Sequence, residues 1–284
     1  MFVTTKEMLE KARREGYAVP AINTQGGCYD IIRAVCQAAE KAQSPIILAH
    51  YLSTGAYAGH DFFFNVAHWC AERVSVPVAI HLDHGDSVEI CKTCTDLGFS
   101  SIMYDGSLLS VEQNAENTNK VIEYAHKKGV PVEAEIGELL RLDEIKAGIS
   151  KTNTVKVEDV REFLSLCQPD SLAIGIGNAH GYYTEKPNIR LDILEEVIKF
   201  TDIPLVLHGC TGMDHDVIKK SLKLGVSKIN FGTQIRFAYC NYLKAALDEE
   251  KNGRAFIAMQ RASEALEKDI LDIIKLSGSE GKAF

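Results

Sequence analysis

The chain has 284 residues, of which 46% are hydrophobic and 25% charged, and its formal net charge is −8 at pH 7. These values are typical of a globular protein with a large core, and the acidic balance argues against a nucleic-acid surface, which needs clustered Lys and Arg. No apolar stretch approaches the roughly 20 residues of a membrane span. The first residues lack the basic and then apolar layout of a signal peptide, so a cytoplasmic location is expected.

Eight short apolar runs alternate with amphipathic segments along the chain. Branched aliphatic runs bounded by Gly, Pro or polar residues are typical of buried strands, and they predict strands at Tyr17–Asn23, Pro45–His50, Pro77–Asp83, Phe99–Asp105, Pro131–Ile136, Ser171–Ile176, Pro204–His208 and Val226–Asn230. Helical spacing predicts helices between them, among them Tyr29–Ala42 and Ser110–Lys128. Because such alternation gives a parallel sheet covered on both faces, eight units predict a closed (β/α)8 barrel, the TIM barrel of the α/β class.

The chain shows no sign of division into separate domains. No linker or low-complexity segment interrupts it, so residues 1–284 are predicted to form a single barrel domain. A helical pattern at about 254–276 predicts a C-terminal helical extension that packs on the barrel or on another subunit. The segment 137–157 is long and polar and shows no clear hydrophobic period. Its place after the fifth strand predicts a lid over the site.

Three of the predicted strands lead into a histidine. His84 follows the third strand, His180 follows the sixth, and His208 ends the seventh. The carboxyl ends of the strands of a (β/α)8 barrel meet at one rim, where ligands bind. Three imidazoles from three strands, with positions left open for a substrate, are the layout of a catalytic zinc site. A zinc ion held by these three residues is therefore the first hypothesis.

Further polar residues are predicted at the same rim. Asp83 is a candidate proton donor or acceptor beside the metal, while Asp105, Glu133 and Glu135 supply carboxylates that hold a second cation or orient the first ligands. Glycines that leave backbone N–H groups open, together with Thr hydroxyls, form a phosphate cradle. The candidates for that cradle and for other substrate contacts are Asn23, His50, Gly181, Gly209, Thr211, Gly212, Asn230 and Thr233.

These residues together resemble a known family. The segments Tyr17–Asn23, His81–His84, Val132–Gly137, Ile176–Gly181, Leu207–Gly209 and Lys228–Asn230 are similar to those of class II, metal-dependent ketose-bisphosphate aldolases, the group of fructose- and tagatose-bisphosphate aldolases. The resemblance covers nearly the whole chain. It implies that His84, His180 and His208 bind a catalytic zinc that polarises the carbonyl of dihydroxyacetone phosphate. It also implies that Asp83 exchanges a proton with the hydroxyl formed from the aldehyde oxygen.

The resemblance further implies how the substrate is held. Asp105 and Glu135 match positions near a second or alternative cation site, which includes the case of a monovalent ion. Arg254, in the C-terminal extension, resembles a residue that reaches a neighbouring subunit's site and binds the anion at the aldehyde end, so a homodimer or homotetramer is expected. The positions that match the contacts of the ketose 1-phosphate are Gly181, Gly209, Thr211, Asn230 and Thr233.

Two stretches depart from the family pattern. The lid lacks the family's paired glycines, but Asp143 and Glu144 fall at the expected distance from Glu135, and either is a candidate for the base that takes the proton of the bound ketone. After the second strand, where family members often have Ser or other small residues, this chain has His50 and Tyr51. Bulkier hydrogen-bonding residues there predict a different aldehyde, such as one that ends in a sulfonate.

The leading interpretation is a metal-dependent aldolase that reversibly cleaves a ketose 1-phosphate, of the ketose 1,6-bisphosphate type, to dihydroxyacetone phosphate and an anionic three-carbon aldehyde. An alternative substrate is 6-deoxy-6-sulfofructose 1-phosphate, which would give sulfolactaldehyde. Three other classes stay open at this point: a Schiff-base aldolase that uses Lys228, a metal-dependent hydrolase, and an accessory barrel subunit that stabilises a catalytic partner. No nucleic-acid or membrane partner is expected.

Overall fold

Eight parallel strands close into a barrel. The structure, a computed structural model, describes residues 1–137, 154–183 and 186–284. Each strand pairs with the next along the chain, and the last pairs with the first, which confirms the predicted (β/α)8 architecture. The strands are β1 Val19–Asn23, β2 Ile46–Tyr51, β3 Val78–Gly85, β4 Ser101–Tyr104, β5 Val132–Ile136, β6 Ser171–Ile174, β7 Leu205–Leu207 and β8 Val226–Phe231.

Helices cover the barrel on its outside and close one of its ends. They are α1 Thr5–Glu15, α2 Tyr29–Ala42, α3 Gly55–Ala58, α4 His60–Ala71, α5 Val88–Leu97, α6 Val111–His126, α7 Val157–Leu166, α8 Leu191–Val197, α9 His215–Lys223, α10 Thr233–Glu249 and α11 Ala255–Ser277. The bounds of α2 are those predicted from its apolar spacing. Within the described ranges, no helix combines the length and the apolar character that crossing a membrane requires.

The barrel separates two apolar cores, because successive side chains of a strand point to opposite faces. Ile46 and Leu48 of β2 belong to the outer core against the helices, whereas Ile47 and Ala49 belong to the inner one. The inner core is completed at the amino-terminal end of the barrel by Met8, Leu9 and Ala12 of α1. Helix α1 therefore closes the bottom of the barrel and leaves the opposite rim for ligands.

The C-terminal extension is the helix α11, and its observed bounds lie within a residue of the predicted ones. It packs against α2 and α10 through an apolar face that includes Leu266, Ile270 and Ile273, all buried. Phe256 and Met259, near its start, are exposed instead. Most of the apolar residues of this helix are thus buried by contacts with other helices of the same chain.

Candidate active site

A cavity of about 580 Å³ opens at the carboxyl-terminal rim of the barrel. Strand ends and the loops after them form its wall, as expected for this architecture. Eight of the residues predicted from the sequence line it, namely Asn23, Asp83, His180, Gly181, Gly209, Thr211, Asn230 and Thr233. Residues far apart along the chain are thus brought to one place.

The three predicted histidines meet beside this cavity. The ring of His84 lies 4.9 Å from that of His180 and 4.8 Å from that of His208, and the last two rings are 6.1 Å apart, measured between centroids. Each residue offers a nitrogen within 4.8 Å of the nitrogens of the other two. That spacing allows one divalent ion to bind all three, since tetrahedral zinc accepts nitrogen ligands at about 2.0–2.1 Å.

His84 reaches the cluster through a local distortion of its strand. Strand alternation turns Asp83 into the barrel and would turn His84 out, but the pairing of β3 with β4 shifts register between Leu82 and Gly85. In this bulge the backbone of His84 takes a φ of 55°, in the left-handed region. A bulge of this kind re-aims a side chain next to a site. Two consecutive residues therefore serve the same cavity.

The ring of His84 is held from one side and open on the other. Its Nδ1–H donates to Asp105 Oδ2 at 2.7 Å, which leaves the lone pair on Nε2. That Nε2 atom is buried and has no hydrogen-bond partner among the described residues. A buried polar atom without a partner is costly, and a metal ion would satisfy it. The donor set and the unpaired nitrogen thus fit a bound cation.

His208 is fixed from three directions. Its Nε2–H donates to Glu133 Oε1 at 3.0 Å, while Asn230 Nδ2 donates to its Nδ1 at 3.2 Å. Asn178 Nδ2 donates to its backbone carbonyl oxygen at 3.0 Å. Since Asn230 also donates to Asp83 Oδ1, at 3.1 Å, it connects the imidazole with the nearby carboxylate.

Carboxylates give this end of the barrel a negative potential. Burial alone lowers the pKa of His84, but the charges of Asp83, Asp105 and Glu135 outweigh it and raise that pKa to about 10. Burial alone raises the pKa of Asp83, yet the nearby His84, His208 and Lys228 bring it below its ordinary value. A proton and a metal cation compete for the same imidazole lone pairs, so the potential that attracts one attracts the other.

Two carboxylates form a second candidate cation site with His84. Ligand atoms of His84, Asp105 and Glu135 lie within 4.8 Å of one another. Both carboxylate oxygens of Glu135 are buried without a hydrogen-bond partner in the described part of the chain, and burial raises its pKa well above the ordinary value. The sequence analysis predicted that these carboxylates hold a further cation or orient the first ligands, and the hydrogen bond between Asp105 and His84 fits the second role.

Backbone N–H groups and hydroxyls line the opposite side of the cavity. Gly209 has a φ of 66°, and a Cβ atom there would stand 2.3 Å from the carbonyl oxygen of Ala179, so only Gly fits. Helix α10 begins at Thr233 after Gly232, which has no side chain to cap it, and both residues face the cavity. A helix N-terminus whose N-cap residue has no side chain, beside a Gly turn, is suited to a phosphate group.

Not every predicted residue lies at this rim. His50 is fully buried on the outer face of β2, where its ring stacks on Phe63 and its Nε2 lies 2.8 Å from His60 Nδ1. This corrects the expectation that His50 contacts substrate, since strand alternation turns it away from the cavity. Arg254 is exposed at the start of α11, outside the cavity of its own chain. Asp143 and Glu144 lie outside the described residues.

Sequence reasoning did not predict the positions of two tyrosines that shape the site. Tyr51 lies one position beyond His50 and lines the cavity, with its ring edge-on to that of His84 at 5.8 Å. The period-two alternation of β2, counted from Ala49, was the signal that would have found it. Tyr183 was not among the predicted site residues, although its hydroxyl oxygen lies 3.1 Å from the carbonyl oxygen of Ala179 and 3.0 Å from that of Gly209 and so connects the two cradle loops.

Known proteins resemble this chain over almost its whole length. A family sequence model described as class-II fructose-bisphosphate aldolase matches residues 3–282. A 6-phospho-5-dehydro-2-deoxy-D-gluconate aldolase from Bacillus subtilis (strain 168) is 35% identical over 291 residues, covering 99% of this chain and 97% of the relative. A fructose-bisphosphate aldolase from Mycoplasma pneumoniae is 34% identical over 296 residues, and the alignment covers 100% of this chain and 100% of the relative.

Solved structures extend the likeness to three dimensions. The crystal structure of the YdjI aldolase from Escherichia coli K12 matches with a TM-score of 0.87 and 28% sequence identity, over 100% of both chains. The family match over almost the whole length, together with relatives above 30% identity, decides the assignment. This chain belongs to the class II fructose-bisphosphate aldolase family, and it is an aldolase.

Proposed function

We propose that this protein is a zinc-dependent aldolase that reversibly cleaves a ketose 1-phosphate to dihydroxyacetone phosphate and an anionic three-carbon aldehyde. One observation supports this most: the imidazoles of His84, His180 and His208 meet within 4.8 Å, and His180 and Asp83 line the same cavity as the phosphate cradle. A ketose phosphate has its carbonyl one carbon away from its phosphate ester. The cavity offers a place for each group.

The three imidazoles are the proposed zinc ligands. Zinc bound there supplies Lewis-acid stabilisation of the negative charge that develops on the ketone oxygen. His84 offers Nε2, because its Nδ1–H is committed to Asp105. His208 offers Nδ1, because its Nε2–H is committed to Glu133. Asp105 and Glu135 remain available for a second cation or a monovalent ion.

Asp83 is the proposed proton carrier at the bond that breaks. Its carboxylate is ionised at neutral pH because nearby positive groups lower its pKa. In the cleavage direction it accepts the proton of the substrate hydroxyl while the adjacent carbon–carbon bond breaks and the aldehyde forms. In the reverse direction it returns that proton to the new hydroxyl. Asn230, which donates to Asp83 Oδ1, keeps the carboxylate in place between the imidazoles and the cavity.

The phosphate of the dihydroxyacetone phosphate half is proposed to bind at the glycine turns and the start of α10. Gly181, Gly209 and Thr233 line this side, and Thr211 Oγ1 accepts from Gln234 N at 3.3 Å, which fixes its hydroxyl there. The backbone N–H groups and the helix dipole stabilise the phosphate dianion on this side of the cavity. Asn23, with its amide at the end of β1, is proposed to contact the substrate carbon chain.

The aldehyde end is proposed to lie on the side of the cavity formed by β1 and β2. Gln25, Tyr51, Ser53 and Thr54 line that side with neutral hydrogen-bonding groups. The charge that the anionic aldehyde needs is proposed to come from Arg254 of a second copy of the chain, in a homodimer or homotetramer. Either Asp143 or Glu144 is proposed as the base that moves the proton of the bound ketone.

The candidate substrates follow from this chemistry and from the relatives. Fructose and tagatose 1,6-bisphosphates and 6-deoxy-6-sulfofructose 1-phosphate each carry a ketose 1-phosphate and a second anion. One relative is named for 6-phospho-5-dehydro-2-deoxy-D-gluconate, which ends in a carboxylate. Tyr51 narrows the aldehyde side relative to the Ser or small residue expected there, and this favours an aldehyde other than a plain triose phosphate.

The Schiff-base alternative conflicts with the place of Lys228. Its ammonium group is fully buried and donates to both oxygens of Glu133, at 2.9 and 2.8 Å, and it does not line the cavity. A buried amino group whose hydrogens are all donated to His81 and Glu133 is not a free nucleophile. Borohydride reduction in the presence of dihydroxyacetone phosphate should therefore leave no covalent adduct. Adduct formation at Lys228 would favour the imine mechanism.

The test of the proposed function is a steady-state comparison on one preparation of the full chain. The four candidate substrates are assayed with zinc and after treatment with EDTA, and released dihydroxyacetone phosphate is measured. We expect cleavage of at least one of them, lost with EDTA and restored by zinc. Cleavage that is insensitive to EDTA would contradict the metal assignment. Failure of the purified chain to cleave any of them would leave the proposed substrate class without support.

A further inference from the structure

A continuous hydrogen-bond network of buried polar groups runs through the inside of the barrel below the site. It connects α1 at the closed end with the imidazole cluster at the open end. Each hydrogen bond of this network is 3.0 Å or shorter. Because its groups come from strands that are not all neighbours, the network crosses the barrel interior. In order from the bottom, its members are Thr5, Ser101, His81, Lys228, Glu133 and His208.

The three protons of the Lys228 ammonium fix the donors and acceptors in the middle of this network. The Lys228 ammonium has three protons, and its three acceptors are Glu133 Oε1, Glu133 Oε2 and His81 Nε2, the last at 3.0 Å. His81 Nε2 is therefore unprotonated, and its Nδ1–H donates to Ser101 Oγ at 2.8 Å. Every proton of the buried ammonium has an acceptor, and Glu133 balances its charge.

At the open end of the barrel, the hydrogen-bond network determines which nitrogen of His208 carries the proton. Glu133 is an acceptor only, so the 3.0 Å contact with Glu133 Oε1 places the proton on His208 Nε2. The lone pair is then on Nδ1, which accepts from Asn230 at 3.2 Å and lies 3.9 Å from Asp83 Oδ1. Nδ1 is thus the atom that His208 presents to the ligand cluster.

The stability of the fold alone does not explain the buried ion pair of Lys228 and Glu133. The interior layers of such barrels are ordinarily filled by Val, Ile and Leu. A buried ion pair loses hydration that its mutual attraction only partly returns, and apolar residues of similar volume often stabilise as well or better. Lys228 and Glu133 are both buried, so their presence calls for a role beyond filling space.

We propose that Glu133 and Lys228 are positioning residues for the metal site. Glu133 holds His208 in the Nε2–H tautomer with Nδ1 facing the other imidazoles, and Lys228 holds the carboxylate of Glu133 in a fixed orientation through two hydrogen bonds. Because the pair is neutral overall, it provides a strong acceptor without adding net charge beneath the site. This inference rests on the proposed zinc function, in which His208 is a ligand.

The first test uses the unmodified chain without metal. Long-range ¹H–¹⁵N spectra of the imidazoles distinguish a protonated Nε2 from a protonated Nδ1, and a His208→Ala variant assigns the signals. We expect His208 as the Nε2–H tautomer before any zinc is added. A protonated Nδ1, or an even mixture of both tautomers, would overturn the proposal. This result does not depend on whether the protein cleaves any sugar phosphate.

The second test changes the pair without leaving a buried charge. In Glu133→Leu with Lys228→Met, His208 loses its acceptor; in Glu133→Gln with Lys228→Met, the amide oxygen still accepts from Nε2–H. Loss of such a partner of a metal-binding His lowers metal affinity by about 10- to 100-fold. We expect that loss, measured by competition with a chelator, for the Leu/Met variant, and partial rescue for the Gln/Met variant.

A matched control separates positioning from general destabilisation. Ser263 is buried and donates to the backbone oxygen of Asp30 at 2.8 Å, away from the site, so Ser263→Ala removes one buried hydrogen bond elsewhere. We expect a lower melting temperature for this control with zinc affinity unchanged. A Leu/Met variant that is folded and binds zinc as tightly as the control would overturn the proposal. If that variant does not fold, the tautomer measurement on the unmodified chain decides.

Discussion

Replacing Gly209 by Ala tests the phosphate cradle directly. The added Cβ would stand 2.3 Å from the carbonyl oxygen of Ala179, and contacts of this type begin at about 3.0 Å, so the two loops must separate by about 0.7 Å. A hydrogen bond of about 2.9 Å lengthened by that amount is no longer one. Losing one bond to a charged group costs about 1.5–3 kcal/mol, which corresponds to about 10- to 100-fold in affinity.

Gly129→Ala provides the matched control for backbone strain. Gly129 has a φ of 71°, close to the 66° of Gly209, and a Cβ there meets nothing within 4 Å. Both variants lose about 1–2 kcal/mol because Ala is placed in the left-handed region, and Gly209→Ala has the additional cost of the clash with Ala179, so both should lower the melting temperature and Gly209→Ala should lower it more. Gly129 lies between α6 and β5, at the closed end of the barrel, so only the Gly209 variant should lose affinity for phosphate.

The assay is calorimetric binding of dihydroxyacetone phosphate to the zinc-loaded protein, with the zinc content of each variant measured in parallel. We expect a dissociation constant about 10- to 100-fold higher for Gly209→Ala and an unchanged one for Gly129→Ala. An unchanged dissociation constant for Gly209→Ala would refute the assignment of Gly209 to the cradle. The same conclusion would follow if the two variants lost affinity to the same extent.

Three further predictions test other parts of the account. Asp83→Asn should lower kcat by about 10²- to 10⁴-fold with zinc content unchanged, and a normal kcat would rule out its role as proton carrier. Arg254→Ala should raise KM for the anionic aldehyde while sparing proton exchange of dihydroxyacetone phosphate, and equal loss of both would contradict its place at the aldehyde end. Burial alone raises the pKa of Asp170, but hydrogen bonds from Val132 N, His126 and Lys6 bring that pKa below the ordinary 3.8. The ionised carboxylate therefore stabilises the folded protein above pH 3.8, and this contribution is lost as the pH falls through the folded-state pKa. Asp170→Asn should therefore cost about 1–3 kcal/mol at neutral pH and progressively less below about pH 4, and a constant difference in unfolding free energy would contradict this.

The barrel itself was readable from the sequence because its signal is repeated eight times. Each strand of a parallel barrel is buried on both faces, so it appears as a short apolar run, and its bounds deviate from the prediction by only one or two residues. The three histidines were readable for a related reason. They stand where apolar runs end, and the architecture alone brings such ends together.

The side-chain directions at the strand ends were harder to predict. His50 and Tyr51 are neighbours, and a one-residue difference in register decides which of them faces the cavity. For His84 the alternation rule fails, because the bulge and the left-handed backbone return the side chain to the barrel interior. Neither event follows from composition or apolar spacing, since both depend on how β3 pairs with β4.

The buried pair of Lys228 and Glu133 shows a different limit. From the sequence, Lys228 was a candidate nucleophile and Glu133 a carboxylate expected to hold a second cation or to orient the metal ligands. Their pairing was not expected, because nothing in the chain order connects residues from β8 and β5. Their contact at 2.8 Å exists only once the barrel closes. Pairings across the interior of a barrel therefore require the structure, even when every strand has been found from the sequence.

The central claim is that His84, His180 and His208 bind one zinc ion. X-ray absorption at the zinc edge, on protein loaded with one equivalent, measures it most directly, because nitrogen ligands lie at about 2.0–2.1 Å and cysteine sulfur at about 2.3 Å. We expect a first shell of nitrogen and oxygen with three imidazoles, reduced to two in His208→Ala. Sulfur in that shell, or an imidazole count that the substitution leaves unchanged, would contradict the claim.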